Sequence, residues 1–187
     1  MSDVGRRSDE ANAPRALLIN GTVGVGKTTV AAAVGHLLTE SQVPNAVIDV
    51  DGLRQAWPCP AGDRFNLALA MRNLACVSAN HVDAGSVRLV LTSVVETQSD
   101  RTAHEQALGM PVVVCRLRAK LPVVRDRLVR RHQDDNDALE WHLNRAPELE
   151  AILDLSRVQD HSVDVTSVTA TEAASEVLLR TGWDLGG

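Results

Sequence analysis

The sequence has 187 residues, a net charge of −5 and 44% hydrophobic residues, which together indicate one ordinary-sized domain with a substantial core. The acidic balance argues against a general nucleic-acid or membrane-surface partner, and no apolar run is long enough to span a bilayer. Aromatic residues make up only 2% of the chain, which also disfavours recognition of single-stranded nucleic acid by base stacking.

The ends of the domain and its compartment are predicted from simple features. Residues 1–14 are polar and lack the apolar stretch of a signal peptide, so we expect a disordered tail before a single domain over residues 15–187. Cys59, Cys76 and Cys115 are scattered without a C-x-x-C pair, which predicts reduced thiols and a cytoplasmic protein. The sequence does not indicate an oligomeric state.

Short apolar runs alternate with helical patterns along the chain, which is typical of strand–helix–strand units and a parallel sheet. Strands are predicted over residues 16–20, 46–50, 88–92, 112–116 and 162–165. Helices are predicted over residues 27–40, 65–82, 100–108, 121–131, 138–158 and 171–181. Pro147 lies inside the fifth helix and should kink it or divide it in two.

The segment that begins at Gly21 reads G-T-V-G-V-G-K-T-T and matches the pattern G-x-x-x-x-G-K-[ST]. Glycines let successive backbone N–H groups turn toward a phosphate, and the helix that follows adds the positive end of its dipole. The alternative is a chance glycine-rich turn, which the strand before and the helix after disfavour. We therefore predict a nucleoside-triphosphate site contacted by Gly21, Thr22, Val23, Gly24, Val25, Gly26, Lys27, Thr28 and Thr29.

Two of these residues have specific predicted roles. Lys27 should reach the β- and γ-phosphates of ATP and contribute to catalysis, and the Thr28 hydroxyl should hold Mg²⁺.

A second charged loop, D-V-D-G-L-R, follows the second predicted strand and contains Asp49, Asp51 and Arg54. Ligands of open parallel sheets bind outside the carboxyl ends of the strands, so this loop should lie beside the phosphate loop. A carboxylate there could orient an acceptor hydroxyl and take its proton as the hydroxyl attacks the γ-phosphate. The alternative is that Asp51 caps a helix that starts near Gly52.

On these motifs the chain resembles the P-loop small-molecule kinases. D-V-D-G-L-R is similar to the D-G-D-N-x-R segment of adenylylsulfate kinases, and V-D-G-L-R-Q-A-W-P to V-D-S-L-I-E-A-M-P of chloramphenicol phosphotransferases. The resemblance implies a three-layer α/β fold, with a five-stranded parallel sheet in the order 2-3-1-4-5 and helices on both faces. It also implies that Asp51 is the base or positioning group for the acceptor hydroxyl, that Asp49 assists through water or Mg²⁺, and that Arg54 contacts substrate.

The basic helix over residues 121–131 carries Arg127 and Arg131 on one face, because residues four apart are neighbours on a helix. R-L-V-R-R here is similar to the R-L-x-x-R segment that leads into the lid of gluconate and nucleotide kinases. The resemblance implies that these arginines stack on the base or clamp the β- and γ-phosphates; the alternative is a solvated basic face. The charged stretch 132–137 that follows is predicted to be a short lid.

Weaker candidates lie on the acceptor side. Glu96 follows the third predicted strand and is a candidate that could touch substrate or metal-bound water. Arg101 and Arg145 are further substrate candidates, although surface ion pairs with acidic neighbours are an equally good interpretation. The three tryptophans are interpreted as packing residues, and only Trp57, next to the second charged loop, is placed where it could line an acceptor pocket. 

These features favour an ATP- and Mg²⁺-dependent phosphotransferase that acts on a hydroxyl or phosphate of a small molecule. A nucleotide or nucleoside kinase is the first alternative. A regulatory ATP-binding protein without a metabolite acceptor is the second, although the chain contains neither an N-K-x-D segment nor a D-x-x-G switch after the third strand. That strand ends in L-T-S instead of the aspartate that P-loop proteins commonly place near Mg²⁺.

Overall fold

The structure, a computed structural model, describes residues 13–63 and 65–183, so most of the predicted tail, residues 1–12, lies outside the described residues. The described part forms one five-stranded sheet, and every adjacent pair of strands is parallel. The strand order is β2-β3-β1-β4-β5, which confirms the expected order and fold class. The strands are β1 (Arg15–Asn20), β2 (Asn45–Asp49), β3 (Arg88–Thr92), β4 (Val112–Arg118) and β5 (His161–Asp164).

Within the same residues, six α-helices connect and follow the strands, and a 3₁₀ turn (Gly52–Arg54) follows β2. Among the described residues, no helix combines the length and the apolar character needed to cross a bilayer. The helices are α1 (Lys27–Glu40), α2 (Leu67–Asp83), α3 (Gln98–Leu108), α4 (Leu121–Arg131), α5 (Asn136–Ser156) and α6 (Ala170–Thr181).

The central strands of the sheet are buried on both faces, and β1 is an example. Leu17 and Ile19 join the core formed with α1 and α6, whereas Ala16 and Leu18 join the core formed with α2 and α3. Successive side chains of a strand point to opposite faces, so a central strand between two helical layers must be apolar at every position. This explains the unbroken apolar runs in the sequence.

Two of the helix starts that differ from the prediction are set by side chains that accept hydrogen bonds from the first backbone N–H groups of the helix. Helix α2 begins at Leu67 instead of residue 65, since Asn66 is left-handed (φ 51°) and the Asp63 carboxylate accepts from the Leu67 N–H at 2.7 Å. Helix α3 begins at Gln98 instead of residue 100, because the Thr97 hydroxyl accepts from the backbone N–H of Asp100 in a capping box.

Helix α5 is continuous from Asn136 to Ser156 with Pro147 inside it, so of the two predicted alternatives, a kink or a division, the division into two helices is wrong. Proline removes one backbone hydrogen bond from a helix. Ala146 and Leu149, on either side of Pro147, are buried, and Ala146 packs with Val124 and Leu128 of α4. Burial on both sides of the proline stabilises the helix through it.

Candidate active site

The loop between β1 and α1 depends on glycine conformations. Gly21, Gly24 and Gly26 have φ angles of 142°, 76° and 108°, which other residues rarely adopt. A Cβ at Gly24 would lie 2.7 Å from Leu128 Cγ, so α4 packs directly on the loop. A Cβ at Gly26 would meet only an Arg127 nitrogen, at 3.8 Å, among the residues that the structure describes, so the backbone there has open space in front of it. This combination fits a backbone cradle for a phosphate.

Two buried side chains anchor this loop: Asn20, which the sequence analysis did not single out, and Thr22, which it predicted to contact the nucleotide. The Asn20 amide donates to the Val95 carbonyl at 2.9 Å, and its oxygen accepts from the N–H groups of Gly21 (2.8 Å) and Val95 (3.1 Å). The Thr22 hydroxyl donates to the Ala146 carbonyl of α5 at 2.8 Å. The loop is therefore fixed to the end of β3 and to α5. The sequence signal that could have identified Asn20 is a polar residue at the end of an otherwise apolar strand.

Lys27 begins α1 with its ammonium group turned toward the loop. Nζ donates to the carbonyl oxygens of Gly21 at 2.9 Å and Thr22 at 3.2 Å. Burial lowers the pKa of Lys27 from 10.5 to about 8, and the nearby carboxylates of Asp51 and Asp49 only partly oppose this effect. An anion bound here would relieve the cost of the buried charge.

Thr28 and Asp49 lie together at the carboxyl end of the sheet. The Thr28 hydroxyl is 3.5 Å from Asp49 Oδ2. Hydroxyl and carboxylate oxygens are the hard donors that Mg²⁺ prefers. Strand β3 ends at the buried Thr92, and the buried Ser93 follows it, so this strand supplies no carboxylate here. The carboxylate comes instead from the neighbouring strand β2, where Asp49 is in register with Thr92. These residues fit a magnesium ion.

Asp51 lies at the entrance of the 3₁₀ turn but does not cap it. Its side chain makes no capping hydrogen bond, so the capping alternative is wrong. Instead, Asp51 Oδ1 accepts from Arg54 Nη2 at 2.5 Å, and the Asp51 N–H donates to Asp49 Oδ1 at 3.1 Å. The carboxylate stays 43% exposed and faces the cavities described next.

A central cavity of about 450 Å³ lies in front of the loop. Six of the nine loop residues predicted to bind nucleotide line it: Val23, Gly24, Gly26, Lys27, Thr28 and Thr29. The other three, Gly21, Thr22 and Val25, are buried behind them. Asp49, Asp51, Arg127 and Arg131 complete its charged lining.

The two arginines predicted to act from the basic helix both reach the central cavity. Arg127 is held by two backbone carbonyls, of Val25 at 2.7 Å and of Val165 at 2.9 Å. Arg131, one turn further along α4, has no ion-pair partner among the described residues. One arginine is therefore fixed and the other is available to an anion.

Beyond Arg127 lies a smaller cavity of about 190 Å³, which we call the Val168 cavity. Gly26, Thr29 and Arg127 line both this cavity and the central one. Its remaining walls are mainly small and apolar, from Val25 and α1 on one side and the segment around Val168 on the other. A slot with apolar walls and one guanidinium group fits a flat aromatic ring.

On the opposite side of Asp51 lies a third cavity of about 180 Å³, which we call the Trp141 cavity. Val23, Asp51 and His142 line both it and the central cavity. Asp51 therefore lies at the junction of the two. The further residues that line the Trp141 cavity are Arg54, Phe65, Val94, Glu96, Trp141, Arg145 and Leu149.

The Trp141 cavity contains both the acceptor-side candidate Glu96 and the weaker candidate Arg145. Arg145 Nη2 donates to Glu96 Oε1 at 2.5 Å, and Nη1 pairs with Glu148 at 2.9 Å. Sequence reasoning missed Trp141, His142 and Phe65 in this site. Trp141, interpreted as a packing residue, is 46% exposed. An apolar aromatic on the polar first turns of α5 was the available signal.

Two other sequence candidates are not brought to these cavities. Trp57 is 93% exposed and lines none of the three. The Arg101 guanidinium donates to the carbonyls of Val112 at 2.8 Å and Val158 at 3.1 Å and also pairs with Glu105 and Asp160. Arg101 thus fastens α3 to the start of β4 and to the segment before β5.

No protein-family model matches the sequence, and no curated protein matches it significantly. Solved structures do match. A gluconokinase from Sinorhizobium meliloti 1021 has a TM-score of 0.57 at 18% identity, covering 91% of this chain and 93% of that one. A Deinococcus radiodurans tunicamycin resistance protein has a TM-score of 0.61 at 21% identity, covering 90% and 96%. A shikimate kinase from Acinetobacter baumannii has a TM-score of 0.59 at 16% identity, covering 96% of this chain and 99% of that one.

These likenesses extend over nearly the whole domain, so the structure has the fold of the P-loop small-molecule kinases. The resemblance carried by the two sequence motifs is confirmed at the level of the fold. At these identities the likeness concerns the fold alone, because one fold supports many activities.

Proposed function

We propose that this protein transfers the γ-phosphoryl group of ATP to a hydroxyl group of a small molecule. The observation that carries the proposal is the position of Asp51, which lines both the central cavity and the Trp141 cavity. A carboxylate between a phosphate cradle and a second pocket is where an acceptor hydroxyl must be oriented for in-line attack.

The central and Val168 cavities would hold the nucleotide. The triphosphate fits the backbone cradle, with Lys27 and Arg131 as its cationic partners. The base fits the Val168 cavity beside the fixed guanidinium of Arg127. Thr28 and Asp49 would hold Mg²⁺, which when bound neutralises charge on the phosphate oxygens.

In the proposed reaction the acceptor oxygen forms a bond to the γ-phosphorus as the bond to the β–γ bridging oxygen breaks and ADP leaves. The hydroxyl proton passes to Asp51. Its Oδ1 is occupied by Arg54, while Oδ2 has no hydrogen-bond partner among the described residues and is available to the hydroxyl. Lys27 and Arg131 would stabilise the negative charge that moves onto the leaving group.

The connection between α4 and α5 remains the proposed lid. Helix α5 begins at Asn136, so the non-helical segment is residues 132–135, shorter than the predicted stretch. His132 stacks on His142 with ring centroids 4.6 Å apart, and His142 lines both the central and Trp141 cavities. This contact supports a role for the segment in covering the junction and excluding water.

A cytoplasmic location is also part of the proposal. The three cysteines are free, and Cys59 and Cys76 are exposed. Exposed free thiols suit a reducing compartment.

The test is a transfer assay with ATP, Mg²⁺ and a panel of hydroxyl-bearing metabolites and antibiotics, followed by mass spectrometry of the acceptors. We expect one acceptor class to gain HPO₃ in a one-to-one ratio with the ADP formed. Lys27→Ala is the matched control and should abolish both products, because it removes the cation next to the cradle. Release of ADP and free phosphate at a rate that no acceptor changes would contradict the proposal and favour the regulatory alternative.

A further inference from the structure

The charged side chains of the Trp141 cavity are paired with one another. Arg145 Nη2 lies 2.5 Å from Glu96 Oε1, and Arg54 Nη2 lies 2.5 Å from Asp51 Oδ1. Arg145 has a second carboxylate partner, Glu148, at 2.9 Å. The two guanidinium groups that line the cavity are thus balanced by the two carboxylates that line it. An anionic ligand would have to displace a carboxylate or lie against one.

The central cavity differs in this respect. Lys27 bonds to backbone carbonyls, and neither it nor Arg131 forms a salt bridge within the part of the chain that the structure describes. Among the same residues, Arg127 is likewise held by backbone carbonyls and forms no salt bridge. The cations available to an anion therefore line the central cavity, on one side of Asp51. The guanidinium groups of the Trp141 cavity, on the other side, are already paired with carboxylates.

The rest of the Trp141 cavity is apolar and aromatic. Phe65 is 50% exposed and Trp141 is 46% exposed, and the walls are completed by the His142 ring and by Val23, Val94 and Leu149. The chain has only one Phe and three Trp and no Tyr, so half of its Phe and Trp residues line this one cavity. Half-exposed aromatic faces in a concave site gain by burying an apolar ligand surface.

We propose that the acceptor is an uncharged alcohol with an aromatic or branched aliphatic body, not a carboxylate, a phosphate ester or a polyol. This inference rests on the proposed function, since it assumes that the acceptor hydroxyl meets Asp51. The apolar body packs against Phe65 and Trp141, and the hydroxyl reaches the junction of the two cavities. There the hydroxyl oxygen loses its proton to Asp51 and bonds to the γ-phosphorus, while the bond to the β–γ bridging oxygen breaks and ADP leaves.

The test measures kcat/KM for matched acceptors in the presence of ATP and Mg²⁺. 1-Phenylethanol and mandelate share the same ring and secondary hydroxyl, and mandelate carries a carboxylate where 1-phenylethanol carries a methyl group. Glycerol and glycerol phosphate form a second pair without the aromatic body. We expect kcat/KM for 1-phenylethanol to exceed that for each of the other three by at least about tenfold, equivalent to about 1.4 kcal/mol. Equal or higher values for mandelate, glycerol or glycerol phosphate would overturn the inference.

A charge variant tests the reason for this preference. Glu96→Gln deprives Arg145 of one carboxylate, so the ratio of kcat/KM for mandelate to that for 1-phenylethanol should rise by about tenfold. Glu140→Gln is the control. Glu140 is an exposed residue of α5, the helix that carries Arg145, and it lines none of the three cavities, so its replacement should leave the ratio unchanged. An unchanged ratio in Glu96→Gln would contradict the role assigned to charge pairing.

The two proposals fail in different ways. Transfer confined to charged acceptors or polyols would overturn the acceptor class and leave the phosphotransferase intact. Transfer to no acceptor, with ATP bound normally, would overturn both.

Discussion

Lys27 shows how a single residue can couple nucleotide binding to pH. In the free protein, burial lowers the pKa of its ammonium group to about 8. Bound phosphates would favour the charged form and raise that pKa again. Below pH 8 the lysine is protonated both free and bound, so it adds no pH dependence to binding. Above pH 8 the free protein must take up a proton in order to bind.

We therefore expect the Kd for ATP to be nearly constant from pH 7 to about 8 and then to rise, by up to about tenfold per pH unit. Isothermal titration calorimetry across this range measures the effect. Lys27→Arg is the matched comparison, because a guanidinium stays charged throughout this range. The Kd of this variant for ATP, whatever its value, should not begin to rise near pH 8. A flat wild-type profile up to pH 9.5 would show that Lys27 does not carry the titration.

At this scale, the site residues with specific predicted roles belong to local motifs, whereas Glu96 and Arg145, which also line the site, were only weaker candidates. The structure brings Lys27, Thr28 and Asp51 to the cavities because each occupies a fixed place in a loop that follows a strand. Trp141 and His142 enter the same site from α5, about 90 residues beyond Asp51 along the chain. Their contribution depends on how α5 packs, which local spacing does not report.

The contact between the phosphate loop and α4 is the element-scale feature that most directly shapes the site. Gly24 occupies an unspecified position of the loop motif. Its φ of 76° favours glycine, and an added Cβ would lie 2.7 Å from Leu128 Cγ and 3.2 Å from Val124 Cγ1. A side chain there would push α4, and with it Arg127, away from the loop.

Gly24→Ala should therefore lower the free energy of unfolding by about 2–4 kcal/mol, from backbone strain together with overpacking, and should also weaken ATP binding. Gly109→Ala is the matched control. Its φ of 66° is similar, and nothing lies within 4 Å of an added Cβ, so only about 1 kcal/mol of strain is expected. Urea denaturation of both variants measures the difference, and equal losses would contradict the proposed packing of α4 on the loop.

The elements themselves were largely predictable, because strands buried on both faces form short apolar runs between amphipathic helices. The ends were less predictable. Helix α2 begins where Asp63 and the left-handed Asn66 allow it, and α5 continues through Pro147 because buried neighbours support it. These boundaries depend on side-chain contacts more than on periodicity.

At the scale of the whole molecule, the strand order places the ends of β1 and β2 on either side of β3, so their loops meet at one edge of the sheet. The sequence motifs implied this order only through the family that they resemble. The division of the site into a cationic side and a charge-balanced side could not be predicted, because it arises from ion pairs such as Arg145–Glu96, which join residues from α5 and the segment after β3.

The central claim is that Asp51 joins the nucleotide side to the acceptor side. The most direct test is Asp51→Asn, in which ATP affinity and phosphoryl transfer to an identified acceptor are measured on the same protein. Asp126→Asn, an exposed carboxylate of α4 outside the three cavities, is the control. We predict that Asp51→Asn lowers kcat by at least about 100-fold, as lost general-base function does, with the Kd for ATP nearly unchanged. Full transfer activity in Asp51→Asn would contradict the account.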